Sequence, residues 1–169
     1  MNEAEVFERF TLPDKATYRD ACRQVGAVMS ELLKATVELR FVSMRDAGLS
    51  GATVRYRDGS YVVYCAKSSS WYHRLGILLH ELAHVALGHV PVASDTGRGL
   101  RQVVPHLPSG VMAILAGRSC HSEDKERAAE EFADQLMARL TEPRTSDVPE
   151  LSAHALRVAE GLAGPHRHG

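Results

Sequence analysis

Two histidines and a glutamate at fixed spacing are the residues of this chain with the clearest capacity for chemistry. They lie in the segment His80-Glu81-Leu82-Ala83-His84. On a helix, residues four apart share one face, so both imidazoles can reach a single tetrahedral metal ion. Glu81 follows the first histidine, and its carboxylate can act there as a general base on a water molecule activated by the metal. The pattern predicts a zinc site with hydrolytic chemistry.

The same short pattern also arises by chance, so its surroundings matter. Here it follows a strand-like segment and lies directly after the strongly apolar residues 75–79. Burying two histidines and a glutamate in such a helix is costly unless a metal ion or hydrogen-bonding partners compensate. The context therefore favours a metal site over an ordinary surface or core pair of histidines.

A catalytic zinc site requires a third protein ligand and an open coordination position. In the metzincin pattern this ligand is a histidine six residues after the second one, but the chain has Val90 there, and Leu87 where that pattern has glycine. His89 is one residue out of register. On a continued helix it would point away from the face that carries His80 and His84. We interpret His89 as a residue of the helix end or the cleft rim.

A glutamate on a later helix is the other candidate for the third ligand. Glu126 and Glu130 are four apart, beside a stripe of alanines that would allow another helix to approach closely. Glu126 can ligate the metal while Glu130 accepts a hydrogen bond from a ligand histidine. Spacing alone separates Glu126 only weakly from Glu123, Glu130 and Glu131, and a solvated acidic face is the alternative explanation of this run.

Four further residues are candidates for lining a cleft. Tyr72 and His73 lie about two helical turns before the first motif histidine, where packing at the helix start is the more common role. His106 and His121 lie in or beside the long segment that separates the motif from the acidic run, and they are weaker candidates.

The elements that position these residues follow from apolar spacing and turn residues. Helical spacing over residues 15–45 predicts a long N-terminal helix that starts near Pro13 and Asp14, or two helices with a break near Gly26. Residues 52–66 predict a β-hairpin with a tight turn at Asp58-Gly59.

The motif helix is expected over residues 71–88, with a serine cap before it and Gly88 as its stop. A loop is predicted over residues 91–119, within which residues 111–116 can form a short helix. Two further helices are expected, at 122–140 and 149–162. These elements predict a single α+β domain, mainly helical, with a small antiparallel sheet.

Composition narrows the class of protein. The chain has 169 residues and is 44% hydrophobic, which suits one globular domain. A net charge of −1 provides no basic field, so we expect neither direct nucleic-acid binding nor membrane binding. Three widely spaced cysteines without a CxxC pair indicate neither a disulfide framework nor a cysteine zinc site. The acidic N-terminus lacks the pattern of a secretory signal, and a cytoplasmic location is expected.

Two segments of the sequence resemble the ImmA/IrrE family of metallo-endopeptidases. Residues 80–89, HELAHVALGH, are similar to the HELGHxxLGH core of that family, and Arg74 matches an arginine often found ahead of the core. Residues 126–137, ERAAEEFADQLM, are similar to the family's ExxANxFAxxLLMP segment. The resemblance implies a zincin-like domain in which Glu126 is the third zinc ligand, as in gluzincin-type HExxH…E zincins.

The chain also departs from that family. Glu130 replaces its asparagine, Ala138 stands where its proline would close the second segment, and the stretch between the segments is long. The departures leave open the role of Glu130, and whether the long stretch is a lid or a partner surface.

The function that the resemblance implies is that of a metalloprotease, a zinc-dependent hydrolase. Its protein substrate would be a separate helix-turn-helix repressor in a stress-response or mobile-element switch, and cleavage would regulate transcription. The alternatives are a non-proteolytic metal-binding antirepressor and a toxin-like module, each acting through protein–protein binding. An intact Glu81 favours the enzyme, because a binding module has no need of a general base.

Overall fold

The computed structural model describes residues 1–44, 50–89 and 121–142 in full, and the backbone of the strand at 111–116. The elements in chain order are α1 (Glu3–Phe7), α2 (Tyr18–Leu33), β1 (Val37–Val42), β2 (Gly51–Tyr56), β3 (Tyr61–Ala66), α3 (Trp71–Ala86), β4 (Val111–Ala116) and α4 (Glu123–Thr141). Helices packed with a small sheet form an α+β fold, as the sequence predicts.

The sheet has the strand order β1-β3-β2-β4. Strands β2 and β3 form the predicted hairpin, and its turn contains Gly59 with a φ of 85°. Strand β4 pairs antiparallel to β2, but β1 pairs parallel to β3. The expectation of a purely antiparallel sheet is therefore wrong, because a strand that precedes the hairpin joins it in the parallel direction.

The predicted long helix over residues 15–45 is also wrong. Helix α2 begins after Thr17, which shares a reciprocal capping box with Asp20, and it ends at Lys34 in the left-handed conformation with a φ of 50°. The segment Val37–Val42 is strand β1, whose alternate apolar residues pack against the core. Leu39 also continues the helical spacing of Leu32 and Thr36, so this residue of the strand fits both periods and extended the predicted helix too far.

From residue 71 onward, the structure confirms two predicted helices and contradicts a third. The motif helix is α3, whose first turn is capped by Ser70, and the acidic helix is α4. Residues 111–116 form strand β4 and not a short helix, since an apolar run of this length fits either element. The rest of the predicted 91–119 loop and the predicted helix at 149–162 lie outside the described residues.

Helix α3 lies at the centre of the core. It packs against α2 on one side, against α4 on another and against the sheet. Its leucines are fully buried together with the apolar faces of the two neighbouring helices; the α3 members of the core are Leu75, Ile77, Leu78, Leu79, Leu82 and Ala83. Packing on several sides fixes the orientation of the motif side chains. None of the described helices combines the length and apolarity needed to cross a membrane.

Candidate metal centre

Three side chains from two helices converge at one point. His80 and His84 lie one turn apart on α3, and their Nε2 atoms are 3.1 Å apart. Glu126, in the first turn of α4, places Oε2 3.3 Å from Nε2 of His80 and Oε1 3.6 Å from Nε2 of His84. One ligand atom from each of the three residues lies within 4.8 Å of the others.

These separations fit a single tetrahedral ion. With zinc–ligand distances near 2.0–2.1 Å, neighbouring ligands of a tetrahedron stand about 3.3 Å apart. The three measured separations, 3.1, 3.3 and 3.6 Å, bracket that value. Two imidazoles and one carboxylate also make up a known donor set for catalytic zinc. The His80, His84 and Glu126 cluster can therefore hold a metal ion.

The position of Glu126 depends on small residues on α4. Ala129 and Ala133 are buried against the core, which allows α4 to pack closely along α3. Glu126 lies one turn before this stripe, and its side chain is 16% exposed. The alanines that appear as a stripe in the sequence thus bring the carboxylate to the histidines.

His84 is held in the neutral form that binds metals. Its side chain is buried, and burial lowers its pKa to about 3, with further contributions from the nearby histidines His121, His80 and His89. A neutral imidazole has a lone pair to donate to a metal ion, whereas an imidazolium has none. The same burial therefore favours ligation by His84.

His89 contacts His84 on the side away from the cluster. Its Nδ1 lies 3.0 Å from Nδ1 of His84, and its backbone N–H donates to the His84 carbonyl at 2.9 Å. Gly88, with a φ of 65°, turns the chain at the end of α3 and brings His89 back toward the helix. His89 is thus a helix-end residue, as interpreted from the sequence, with a specific partner that the spacing does not reveal.

A second histidine supports the same ring. His121 stacks on His84 with ring centroids 4.2 Å apart and an angle of 16° between the planes. The sequence offered it as a weak cleft candidate, and the structure places it against a candidate ligand. His106 lies outside the described residues.

Glu81 is buried beside the cluster and hydrogen-bonded to the sheet. Thr53 Oγ1, on β2, donates to Oε2 of Glu81 at 2.8 Å. Burial raises the pKa of Glu81 to about 8; the Thr53 hydrogen bond opposes that rise, and the nearby Glu126 carboxylate adds to it. A carboxyl group with a pKa in this range can both accept and release a proton near neutral pH.

Gly51 makes room for this carboxylate. A Cβ atom at position 51 would lie 2.7 Å from Oε1 of Glu81 and 2.8 Å from Cγ2 of Ile77. Both distances are shorter than Cβ contacts in proteins, so a larger residue at position 51 would require Glu81 and Ile77 to shift. From the sequence, neither Gly51 nor Thr53 is assigned a role in the site. No local signal marks either residue, since both meet Glu81 through tertiary packing.

A groove adjoins the cluster between α3 and α4. It encloses about 560 Å³ and is lined in part by His80, Tyr72, His73 and Glu130. Tyr72 is half exposed and meets the ring of Tyr18 edge-on, at a centroid distance of 5.4 Å. The structure therefore places these cleft candidates beside the metal cluster. A hydrogen bond from a ligand histidine to Glu130 stays a prediction.

Arg74 stabilises the start of α3. Its guanidinium donates through Nε to the carbonyl of Ser68 at 2.7 Å and through Nη2 to the same oxygen. It also lies over the rings of Trp71 and Phe41, at 4.3 and 5.0 Å from their centroids. Arg74 thus ties the helix start to strand β1.

Comparisons with protein-family models, with curated proteins and with solved structures find no match to this chain. The case for a function therefore depends on the residues of the site and their geometry.

Proposed function

We propose that this chain is a zinc-dependent endopeptidase that hydrolyses a peptide bond in a protein substrate. The observation that supports this most is the convergence of His80, His84 and Glu126 with a buried glutamate, Glu81, next to the first ligand. Three protein ligands leave one position of a tetrahedral ion open, which is the arrangement of catalytic rather than structural zinc.

Glu81 is the general base in this proposal. Zinc, when bound, polarises the scissile carbonyl and makes water acidic enough to attack near neutral pH. The Glu81 carboxylate takes the proton of the attacking water and passes it to the leaving amine. Thr53 orients the carboxylate through its hydrogen bond to Oε2. A cation in the neighbouring site would favour the ionised form of Glu81, which is the form that accepts a proton.

The substrate proposal comes from the resemblance of residues 80–89 and 126–137 to the ImmA/IrrE family. By that resemblance the substrate is a separate helix-turn-helix repressor in a stress-response or mobile-element switch, met in the cytoplasm. An antirepressor or toxin-like module that only binds its partner is the alternative. Such a module would use the metal cluster for structure and would not require Glu81.

Replacing the base tests the proposal directly. Zinc-loaded wild type and Glu81→Gln are incubated with a degenerate peptide library, and the products are identified by mass spectrometry. We expect the wild type to generate new termini and Glu81→Gln to retain zinc but lose cleavage by at least about 10²-fold, the lower range for general-base removal. Equal cleavage by both proteins would contradict the assignment of Glu81.

A further inference from the structure

The groove between α3 and α4 begins at the candidate metal cluster. His80 belongs to both, since its Nε2 faces the cluster and the residue also lines the groove. If the scissile carbonyl of a bound peptide lies at the cluster, a side chain next to the scissile bond can therefore reach the groove. The groove is thus a candidate subsite and not a separate cavity.

The floor of the groove is apolar and partly formed by small residues. Gly76 and Ile77 contribute to it from α3, and Ala133 and Met137 from α4. Gly76 has no side chain, and a Cβ atom there would lie 3.6 Å from Cε of Met137, an ordinary contact distance. Such a floor suits an unbranched aliphatic chain lying along the two helices.

The rim of the groove is acidic. Glu130 and Asp134 line it from α4, four residues apart on one face of the helix, and both are exposed. Neither carboxylate has an ion-pair partner among the residues that the structure describes. The other ionisable side chains that line the groove are Tyr72, His73 and His80. The rim of the groove therefore presents two neighbouring carboxylates.

An apolar floor and an acidic rim complement a long aliphatic side chain with a cationic end. We propose that this groove is a substrate subsite that binds a lysine or arginine side chain adjacent to the scissile bond. The aliphatic stem would lie over Gly76 and Ala133 while the cation meets Glu130 and Asp134. The inference depends on the proposed peptidase function and specifies the class of peptide that the site prefers.

Hydroxamates that differ only in the side chain test the subsite without requiring a known substrate. Nα-acetyl-lysine hydroxamate and Nα-acetyl-norleucine hydroxamate carry the same zinc-binding group on stems of similar length. Their affinities for the zinc-loaded full chain are measured by calorimetry. Two exposed charge pairs predict a preference for the lysine compound of about fivefold. The preference should shrink at high salt, because the pairs are solvent-exposed.

The variant Glu130→Gln/Asp134→Asn should bring the two affinities to within about twofold, as expected when exposed pairs are removed. The preference is the ratio of the two affinities within each variant, so an effect on zinc binding that weakens both compounds equally does not change it. The matched control Glu123→Gln/Glu131→Gln removes two exposed charges of the same helix that do not line the groove, and it should keep the preference.

Equal affinities for the two hydroxamates in the wild type would overturn the subsite while leaving the metal site intact. A preference that survives in Glu130→Gln/Asp134→Asn would overturn it as well. If neither compound binds and the purified chain retains no metal, the proposed peptidase function fails together with the subsite.

Discussion

The Nδ1 atoms of His84 and His89 lie 3.0 Å apart, on the opposite side of the His84 ring from the metal cluster. With Nε2 of His84 directed at Glu126, the tautomer that serves a metal carries its proton on Nδ1 and donates it to His89. Such a bond fixes the ring orientation and raises the basicity of the ligand. His89 is thus a positioning residue in this account, although it follows the end of the helix.

Removing His89 should therefore weaken metal binding without removing a ligand. His89→Ala is expected to lower zinc affinity by about 10- to 100-fold, the usual cost of losing such a partner. His89→Asn, whose side-chain oxygen can accept the same hydrogen bond, should recover part of the loss. Competition with a chromophoric chelator measures both affinities. Unchanged zinc affinity in His89→Ala would show that the contact does not support the site.

Replacing Gly51 or Gly76 with alanine should change the stability of the chain in opposite directions. Gly51→Ala places a Cβ atom 2.7 Å from Glu81 and should destabilise the metal-free chain by about 1–3 kcal/mol, the typical cost of overpacking. In Gly76→Ala the new Cβ atom lies 3.6 Å from Cε of Met137, an ordinary contact. Because alanine favours the helix over glycine, this variant should be more stable by up to about 1 kcal/mol. Urea denaturation gives both values. Equal stability of the two variants would contradict the close approach of β2 to Glu81.

The buried cysteines predict slow thiol chemistry in the native chain. Burial raises the pKa of Cys22 to about 11 and that of Cys65 to about 12. In a Cys120→Ser background, a disulfide reagent at pH 8 should label neither thiol before denaturation and both after it. Rapid labelling of the native chain would place these residues at the surface.

The raised pKa values of Cys22 and Cys65 determine whether the free energy of unfolding rises or falls with pH. Below their usual pKa of 9.0, both thiols are neutral in the folded and in the unfolded chain, so their contribution to the free energy of unfolding is fully present there. Between about pH 9 and 11 the unfolded chain loses thiol protons that the folded chain retains, and the free energy of unfolding should fall. Urea denaturation from pH 8 to 11 checks this. Cys22→Ala/Cys65→Ala should show a shallower fall, and an identical slope would contradict the assignment.

The parts of the site that depend on local spacing could be predicted from the sequence. His80 and His84 share a face because they are four apart on a helix, and Ser70 marks the start of that helix. Spacing alone favours Glu126 only weakly over the other glutamates as the third ligand, because its proximity to the histidines depends on how α4 packs against α3. The contacts of Gly51 and Thr53 with Glu81 join residues about 30 positions apart, and no local pattern encodes them.

The two errors in secondary structure have a related cause. In strand β1 the apolar residues alternate with polar ones, but Leu39 also fits the preceding helical spacing, and strand β4 is a short apolar run that fits either element. Each is identified by its partner strand, β3 for the first and β2 for the second. Strand pairing is a tertiary relationship, so the local sequence did not identify these two strands.

The central claim is that His80, His84 and Glu126 together hold one zinc ion. The most direct test of this claim is the zinc content of the purified chain, measured by elemental mass spectrometry, for the wild type, Glu126→Ala and the control Glu131→Ala, an exposed glutamate of the same helix outside the cluster. We expect one zinc per chain in the wild type and in Glu131→Ala, and a loss of zinc in Glu126→Ala. A wild type without stoichiometric metal, or a Glu126→Ala variant that retains all of its zinc, would contradict it.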